Sequence, residues 1–260
     1  MMSAYERRQF ILDKLHKQER LRVTKLADVL SVSESTIRND LNALEDEGRI
    51  ERVHGGAVLA EPAYVNNNSF ENRYVQHLQA KRAIAKQAAE LVQDGDSILL
   101  DASSTAYCLA CEISDRNGLR IVTNGFKLAQ ELAKNPSNNV ILIGGVVNYS
   151  ASSVTGLLSQ RIIEDLYVQK AFISCSGFTI SRGMTEVQLN EAQLKRKMIT
   201  STAKLYAIID SSKFGKEDLT PFASLEDIHQ LFTDEAISIE WKAQLEDAGV
   251  NPIICSQEAN

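Results

Sequence analysis

Residues 26–57, LADVLSVSESTIRNDLNALEDEGRIERVHGGA, constrain this chain more than any other stretch. Their order is a short apolar helix, a Ser31-Val32 turn, a second helix, then two short strands around a Gly-Gly step. Ser33 is placed to N-cap the second helix, its hydroxyl accepting from a first-turn amide, and Gly48 stands where that helix would end left-handed. Ile37, Leu41 and Leu44 recur at i, i+4 and i+7, one apolar stripe for packing on the preceding helix. At about 100° per residue the opposite direction carries Ser35, Asn39 and Asn42, flanked by Thr36 and Arg38. That face has no large apolar residue, and its hydroxyls, amides and guanidinium match base edges and phosphates. Ile50 to Val53 and Ala57 to Leu59 read as strands, with His54-Gly55-Gly56 supplying the positive φ of a tight hairpin. This order predicts a winged helix-turn-helix, whose second helix lies in the major groove of double-stranded DNA. Arg52 and His54 then stand in the wing, beside the phosphate backbone.

Upstream, Arg7, Arg8, Lys14, Lys17, Arg20, Arg22 and Lys25 face only Glu6, Asp13 and Glu19. Alone this reads equally as a solvated helix face; beside a winged helix, contact with DNA phosphates is favoured. The whole segment resembles the N-terminal domain of the DeoR family of bacterial transcription regulators. The resemblance rests on Val32-Ser33, Thr36-Ile37-Arg38-Asn39-Asp40-Leu41, Leu44-Glu45-Asp46-Glu47-Gly48 and His54-Gly55-Gly56-Ala57. One position departs, since the family usually has a second Arg where this chain has Asn39. Asn pairs bidentately with adenine, so the departure points to a shifted base preference.

At 260 residues the chain exceeds one such module by a whole domain, and 44% hydrophobic with 24% charged residues suits a second globular core. The net charge of −6 argues against a general polyanion binder. No apolar run approaches the roughly 20 residues that cross a bilayer, and the N-terminus lacks the apolar core of a signal peptide. A cytoplasmic protein with no membrane partner is expected. Cys108, Cys111, Cys175 and Cys255 make no disulfide framework for such a chain. Cys108 and Cys111 form a CxxC, but no second pair or nearby His completes a zinc site, and both read as small core residues. No metal and no cofactor is expected.

Pro62 and the tract Asn66-Asn67-Asn68-Ser69 have the composition of a connector. The expected organisation is a DNA-binding domain over 1–59, a linker over 60–69 and a second domain over 70–260. A helix carrying Ile84, Ala88, Leu91 and Val92 stops at Asp94-Gly95. Apolar strand candidates follow at 98–100, 121–123, 140–143, 171–173, 205–210, 231–233 and 252–255, most of them separated by amphipathic helices. This alternation predicts an α/β fold with a mostly parallel sheet covered on both faces. The carboxyl ends of the strands run into polar or glycine-rich loops: Asp101 to Thr105, Thr123-Asn124-Gly125, Gly144-Gly145, Ser174 to Gly177 and Asp210 to Lys213. Ligands of open α/β sheets bind at that edge. Ser103, Ser104 and Thr105 open a helix, where they either cap it or, as the other loops favour, hold an anion on unsatisfied amides.

This half also resembles the DeoR family, in its effector domain. The match lies in Asp101-Ala102-Ser103-Ser104-Thr105, Thr123-Asn124, Gly144-Gly145, Glu191-Ala192-Gln193-Leu194-Lys195 and Asp210-Ser211-Ser212-Lys213-Phe214, with Ser103 replacing the family's usual Gly. The resemblance implies a Rossmann-like fold similar to ribose-5-phosphate isomerase and the amino-sugar-phosphate deaminases. It also implies a phosphorylated sugar or related metabolite as effector, and repression of a carbohydrate-utilisation operon. In that reading Asp101 holds sugar hydroxyls, Ser103, Ser104, Thr105, Asn124, Gly144 and Gly145 line the site, and Lys195 and Lys213 pair with phosphate. Lys213, at a strand end, is the better placed of the two lysines. A homo-oligomer, dimer or tetramer, would present recognition helices to repeated or inverted half-sites of a DNA operator. The alternative is a sugar-phosphate isomerase or deaminase-like enzyme with a DNA-binding appendage, for which Glu191 and Lys195 could act as base and electrophile. An i,i+4 salt bridge on a surface helix is the commoner reading of that pair. The acidic cluster of an isomerase is also missing near Phe178 to Ser181, so binding without turnover is expected. A DNA binder with a ligand-free second domain ranks third.

Overall fold

The computed structural model describes residues 4–15, 20–46, 49–53, 55–59 and 69–256, and the chain divides into two compact units, Met1–Asn66 and Asn67–Asn260. The first contains α1 (Ala4–Leu15), β1 (Leu21–Arg22), α2 (Val23–Leu30), α3 (Glu34–Asp46), β2 (Ile50–Val53) and β3 (Gly56–Leu59). Ile37, Leu41 and Leu44 are buried with Ile11, Leu12, Leu15, Leu26 and Ile50, so the stripe on α3 seals a core shared with α1, α2 and the wing. The Ser33 hydroxyl accepts from the Thr36 amide at 3.2 Å, capping α3 as its position in the sequence requires. Gly48, His54 and the connector over 60–68 lie outside the described residues.

The wing has a third strand that the sequence did not disclose. β1 pairs antiparallel with β3, on the edge opposite β2. Its presence separates the two glycines by role. Gly55 turns the hairpin at φ +78°, whereas Gly56 lies within β3, where a Cβ would stand 2.0 Å from the Leu21 carbonyl oxygen. Gly56 is therefore there for close approach of β1 and not for a positive φ.

The second unit begins with α4 (Phe70–Val75) and α5 (Leu78–Ala89), followed by β4 (Ser97–Leu100), α6 (Ser104–Glu112), β5 (Arg120–Thr123), α7 (Phe126–Leu132), β6 (Asn139–Leu142), β7 (Val146–Asn148) and β8 (Ser153–Thr155). It continues through α8 (Leu157–Glu164), β9 (Val168–Ile173), β10 (Gly177–Thr179), β11 (Gly183–Glu186), α9 (Leu189–Thr200), β12 (Thr202–Ile208), β13 (Thr220–Ala223), β14 (Ile228–Asp234), α10 (Ile239–Asp247) and β15 (Ile253–Cys255). The seven apolar runs of the sequence form one wholly parallel sheet, ordered β15-β14-β12-β9-β4-β5-β6. Successive side chains of a strand point to opposite faces, so Ile98 and Leu100 join a core with α5, α6 and α7 while Leu99 joins one with α8, α9 and α10. Strand order reverses between β4 and β9, and the loops leaving that switch point are Asp101 to Ser103 and Ser174 to Ser176.

Two antiparallel additions decorate this frame: the hairpin β7–β8 and the small sheet β10-β11-β13. The CxxC is split by its helix. Cys108 is buried in the core, but Cys111 is exposed, which corrects the expectation that both are core residues. Burial pushes the Cys108 thiol up to about 11, far from a reactive thiolate. Among the described residues no helix is long and apolar enough to cross a membrane.

Candidate functional site

Two surfaces carry chemistry, one in each unit. On α3 the side chains of Ser35, Arg38, Asn39 and Asn42 are exposed and Thr36 is half-buried, its hydroxyl 2.9 Å from that of Ser33. Arg38 donates to Glu34 one turn earlier at 2.9 Å, an exposed pair that little opposes its release to another anion. Arg52 donates through Nη1 to the Asn42 amide oxygen, and its backbone amide to Glu45 at 3.1 Å, so the wing is fastened to the outward face of α3. Arg7 does not belong to the basic excess available to DNA. It forks onto the buried Asp40 at 2.7 and 3.2 Å, tying α1 to α3 inside the unit.

The second surface is built at the switch point. Ser103 caps α6 by accepting from the Ala106 amide at 3.1 Å. Its own hydroxyl donates to Asp101 Oδ1 at 2.6 Å, while Asp101 Oδ2 accepts from the Ser174 amide at 3.3 Å and from the Lys195 ammonium at 3.1 Å. Asp101 is fully buried with both oxygens engaged. It positions the loop and cannot offer itself to sugar hydroxyls, which corrects the role expected for it.

Lys195 is likewise no surface residue. Its ammonium donates to the Ser174 carbonyl at 2.9 Å and to Glu186 Oε2 at 2.6 Å, beside the contact with Asp101. Burial would push that amine down, but Glu186, Asp101 and Glu191 outweigh it and hold the pKa above the ordinary lysine value. Burial likewise works to raise the Glu186 carboxyl, and the adjacent Lys195 reverses this and leaves it lowered. Glu191 goes the other way: burial dominates Lys195 and the Ser153 hydroxyl, and its carboxyl is raised. Glu191 and Lys195 are thus not an i,i+4 pair on a surface helix. One acid that the sequence reading did not single out, Glu186, stands at the end of β11 and lines the same site.

In front of this floor opens a cleft of ≈ 430 Å³, a size suited to a small metabolite. Ser103, Ser104, Thr105, Lys195 and Lys213 all line it. Asp101 lies behind it, and Asn124, Gly144 and Gly145 do not line it. Asn124 is buried, donating to the Val154 carbonyl at 3.2 Å and to Glu191 at 3.4 Å. Gly144 accepts from the Ser159 hydroxyl at 2.8 Å, holding α8 to the end of β6.

Sequence reasoning missed five charged residues of the lining: Arg73, Lys81, Glu186, Lys216 and Asp218. Lys81 left a signal, since with Ile84, Ala85 and Ala88 it falls on the apolar stripe of α5. Its ammonium donates to the carbonyls of Arg73 and Gln76, and burial pulls its pKa down to about 8. Asp210, already visible in the sequence as a strand-end residue, also faces the cleft. Its Oδ1 accepts from the Ser212 amide at 3.2 Å, while the buried Oδ2 has no hydrogen-bond partner among the described residues. The lining thus offers lysines, an arginine and hydroxyls at a helix N-terminus, with the unpartnered Oδ2 of Asp210 covered beside them.

Comparison with known proteins agrees with both units. Residues 7–63 match the DeoR-like helix-turn-helix domain and residues 76–235 the DeoR C terminal sensor domain. The HTH-type transcriptional regulator GolR of Listeria innocua is 39% identical over 251 residues, covering 96% of this chain and 98% of its own length. The lactose phosphotransferase system repressor of Streptococcus mutans is 34% identical, covering 90% and 93%. Among solved structures, ribose 5-phosphate isomerase A of Methanocaldococcus jannaschii matches at a TM-score of 0.37 and 16% identity, covering 53% of this chain and 54% of that one, too slight a likeness to bear on function. The similar curated proteins are named as regulators and repressors, not as enzymes. With both halves matched along nearly the whole length, the chain belongs to the DeoR family of HTH-type transcriptional regulators.

Proposed function

We propose that this regulator represses a carbohydrate-utilisation operon and leaves its operator when a phosphorylated sugar fills the cleft. The observation that carries the reading is the pairing, in one cleft, of a cationic lining at a helix N-terminus with Asp210, a lining carboxylate whose covered Oδ2 has no partner among the described residues. The phosphate would sit on the first-turn amides and hydroxyls of Ser104 and Thr105, facing Lys213. Lys195 carries charge into the floor but has three acceptors already. It shapes the field and leaves direct pairing to Lys213. Asp210 would accept a sugar hydroxyl, the part first assigned to Asp101, once its carboxylate turns the covered, unpartnered Oδ2 into the cleft. The printed name of the Streptococcus mutans relative, a lactose phosphotransferase system repressor, points to the same class of metabolism.

On DNA, Ser35, Thr36, Arg38, Asn39 and Asn42 would read base edges and phosphates, with Arg52 and His54 of the wing on the backbone. A ligand releases DNA only by preferring the conformation that binds DNA less well, so the coupling is reciprocal. The test is a thermal-shift screen of the purified chain against phosphorylated sugars, their unphosphorylated counterparts and inorganic phosphate. A ligand at a hundredfold its Kd adds about 2.7 kcal/mol of stability to the folded state. Stabilisation by one phosphorylated sugar and not by its parent sugar, followed by release of bound operator, supports the reading. A panel without response, or one in which the parent sugar stabilises equally, removes the phosphate from it.

A further inference from the structure

The wing reaches back onto the exposed face of α3. Arg52, on β2 and paired with Ala57 of β3, donates through Nη1 to the amide oxygen of the exposed Asn42. Its main-chain N–H donates to Glu45, one turn further along α3, at 3.1 Å, and its Nε lies covered by the protein. Arg52 is thus held at its main chain and at its side chain. A guanidinium has donors only, so the end of the amide that faces Arg52 is the oxygen, and the two N–H donors of Asn42 Nδ2 are directed away from it. Asn39, one turn earlier, is also exposed, and no bond holds its amide among the described residues.

An asparagine with both ends of its amide free pairs with adenine, its oxygen accepting from N6 and its nitrogen donating to N7. In Asn42 the oxygen is already taken by Arg52. Two donors without an acceptor fit guanine instead, which presents the acceptors N7 and O6 side by side in the major groove. At adenine the same Nδ2 would meet the N6 amine, donor against donor.

We propose that Arg52 is a positioning residue for base reading: by occupying the amide oxygen it makes Asn42 a donor-only reader of guanine, while the free amide of Asn39 keeps the preference for adenine. Two residues of one type on one helix then select different bases, and the wing sets the difference. This rests on α3 entering the major groove, as in the function proposed above, and is independent of the effector.

The experiment is selection from a library of random DNA duplexes by the full chain, sequenced to give a base preference at each position. It is run on the wild type, Arg38→Ala, Asn42→Ala, Arg52→Met and Arg52→Lys. Asn42→Ala, at an exposed site, should flatten one position, and that position should be a G·C pair in the wild type. Arg52→Met frees the amide and should turn the same position to an A·T pair, with a preference of about fivefold or more before and after the change. Arg52→Lys, which keeps a donor, should hold the G·C pair. Were Arg52 only a phosphate contact, Arg52→Met would weaken binding alike for all sequences and lower the salt slope by about 1. That result overturns the proposal. So does an A·T pair at the position that Asn42 reads in the wild type, an outcome that decides even if Arg52→Met fails to fold. If Arg38→Ala flattens a position and Asn42→Ala none, the proposal alone fails; if neither does, the groove reading fails with it.

Discussion

Lys195→Met isolates the part of the cleft floor that most depends on charge. The substitution keeps an apolar stem of similar length and removes an ammonium that touches Asp101 at 3.1 Å, Glu186 at 2.6 Å and the Ser174 carbonyl at 2.9 Å. Removing one partner of a buried ion pair costs about 3–5 kcal/mol, because the remaining charge is left uncompensated. Asp101 keeps the donors from Ser103 and Ser174, and Glu186 keeps the Ser176 hydroxyl, so the lower end of that range applies near neutrality. The transition of the larger unit should fall by roughly 6–12 °C, at about 2–4 °C per kcal/mol for a domain of this size.

The pH dependence of that loss tests its cause. In the wild type the Glu186 carboxyl is lowered, so its contribution is present above the unfolded value of about 4.3 and lost as pH falls through the folded one. Without Lys195, burial governs, and the folded carboxyl titrates above the unfolded value. The sign reverses: the folded variant binds more protons than its unfolded chain and loses stability as pH rises through the carboxylate range. Urea denaturation of both proteins at about pH 5 and about pH 8 should show a difference that is smaller at the lower pH. A difference that does not change with pH, or one below about 1 kcal/mol throughout, would refute the uncompensated-charge account.

Other expectations are separable from this one. Arg38→Ala should weaken operator binding by about 1–3 kcal/mol in a fluorescence-anisotropy titration while leaving the effector's thermal shift unchanged. Equal loss of both would contradict a division of labour between the units. Asp210→Ala should lower affinity for the phosphorylated sugar by about 1.5–3 kcal/mol in calorimetry and leave inorganic phosphate binding intact, since only the sugar offers a hydroxyl to Oδ2. Gly56→Ala should unfold the smaller unit at lower urea than Gly55→Ala does. The first meets the Leu21 carbonyl at 2.0 Å, whereas the second meets nothing and bears only the left-handed penalty of roughly 1–2 kcal/mol. Lys81 titrates near 8 when folded and above 10 when unfolded, so its burial should make stability rise with pH across that window, and Lys81→Met should remove the rise.

The winged helix was legible because its determinants are local. A cap at Ser33, a stripe at Ile37, Leu41 and Leu44 and glycines at the hairpin act within one another's reach. The sheet was legible for a different reason: central strands buried on both faces are apolar runs, and all seven were marked. The β7–β8 hairpin escaped because its strands are three residues long, and the alternation of β7 is erased where both valines face water. β1 escaped because two residues have no period at all.

The cleft was half legible, and the missing half follows from how it is assembled. Ser103, Ser104 and Thr105 announce themselves as a strand-to-helix loop. Arg73, Lys81 and Glu186 come from elements distant in sequence, and only tertiary packing sets them beside that loop. Asp101 shows the limit most plainly. A carboxylate at a strand end can face a ligand or turn beneath it, and its position in the sequence is the same in both cases. What decides is whether its lone pairs are already taken. Both oxygens of Asp101 are engaged, whereas Asp210, at the end of β12, keeps one buried oxygen without a partner. A buried acceptor left empty costs about 1–3 kcal/mol, so a fold retains one where something supplies the missing donor. On that argument the saturated acid is the scaffold, and the unsatisfied one is where the effector's hydroxyl belongs.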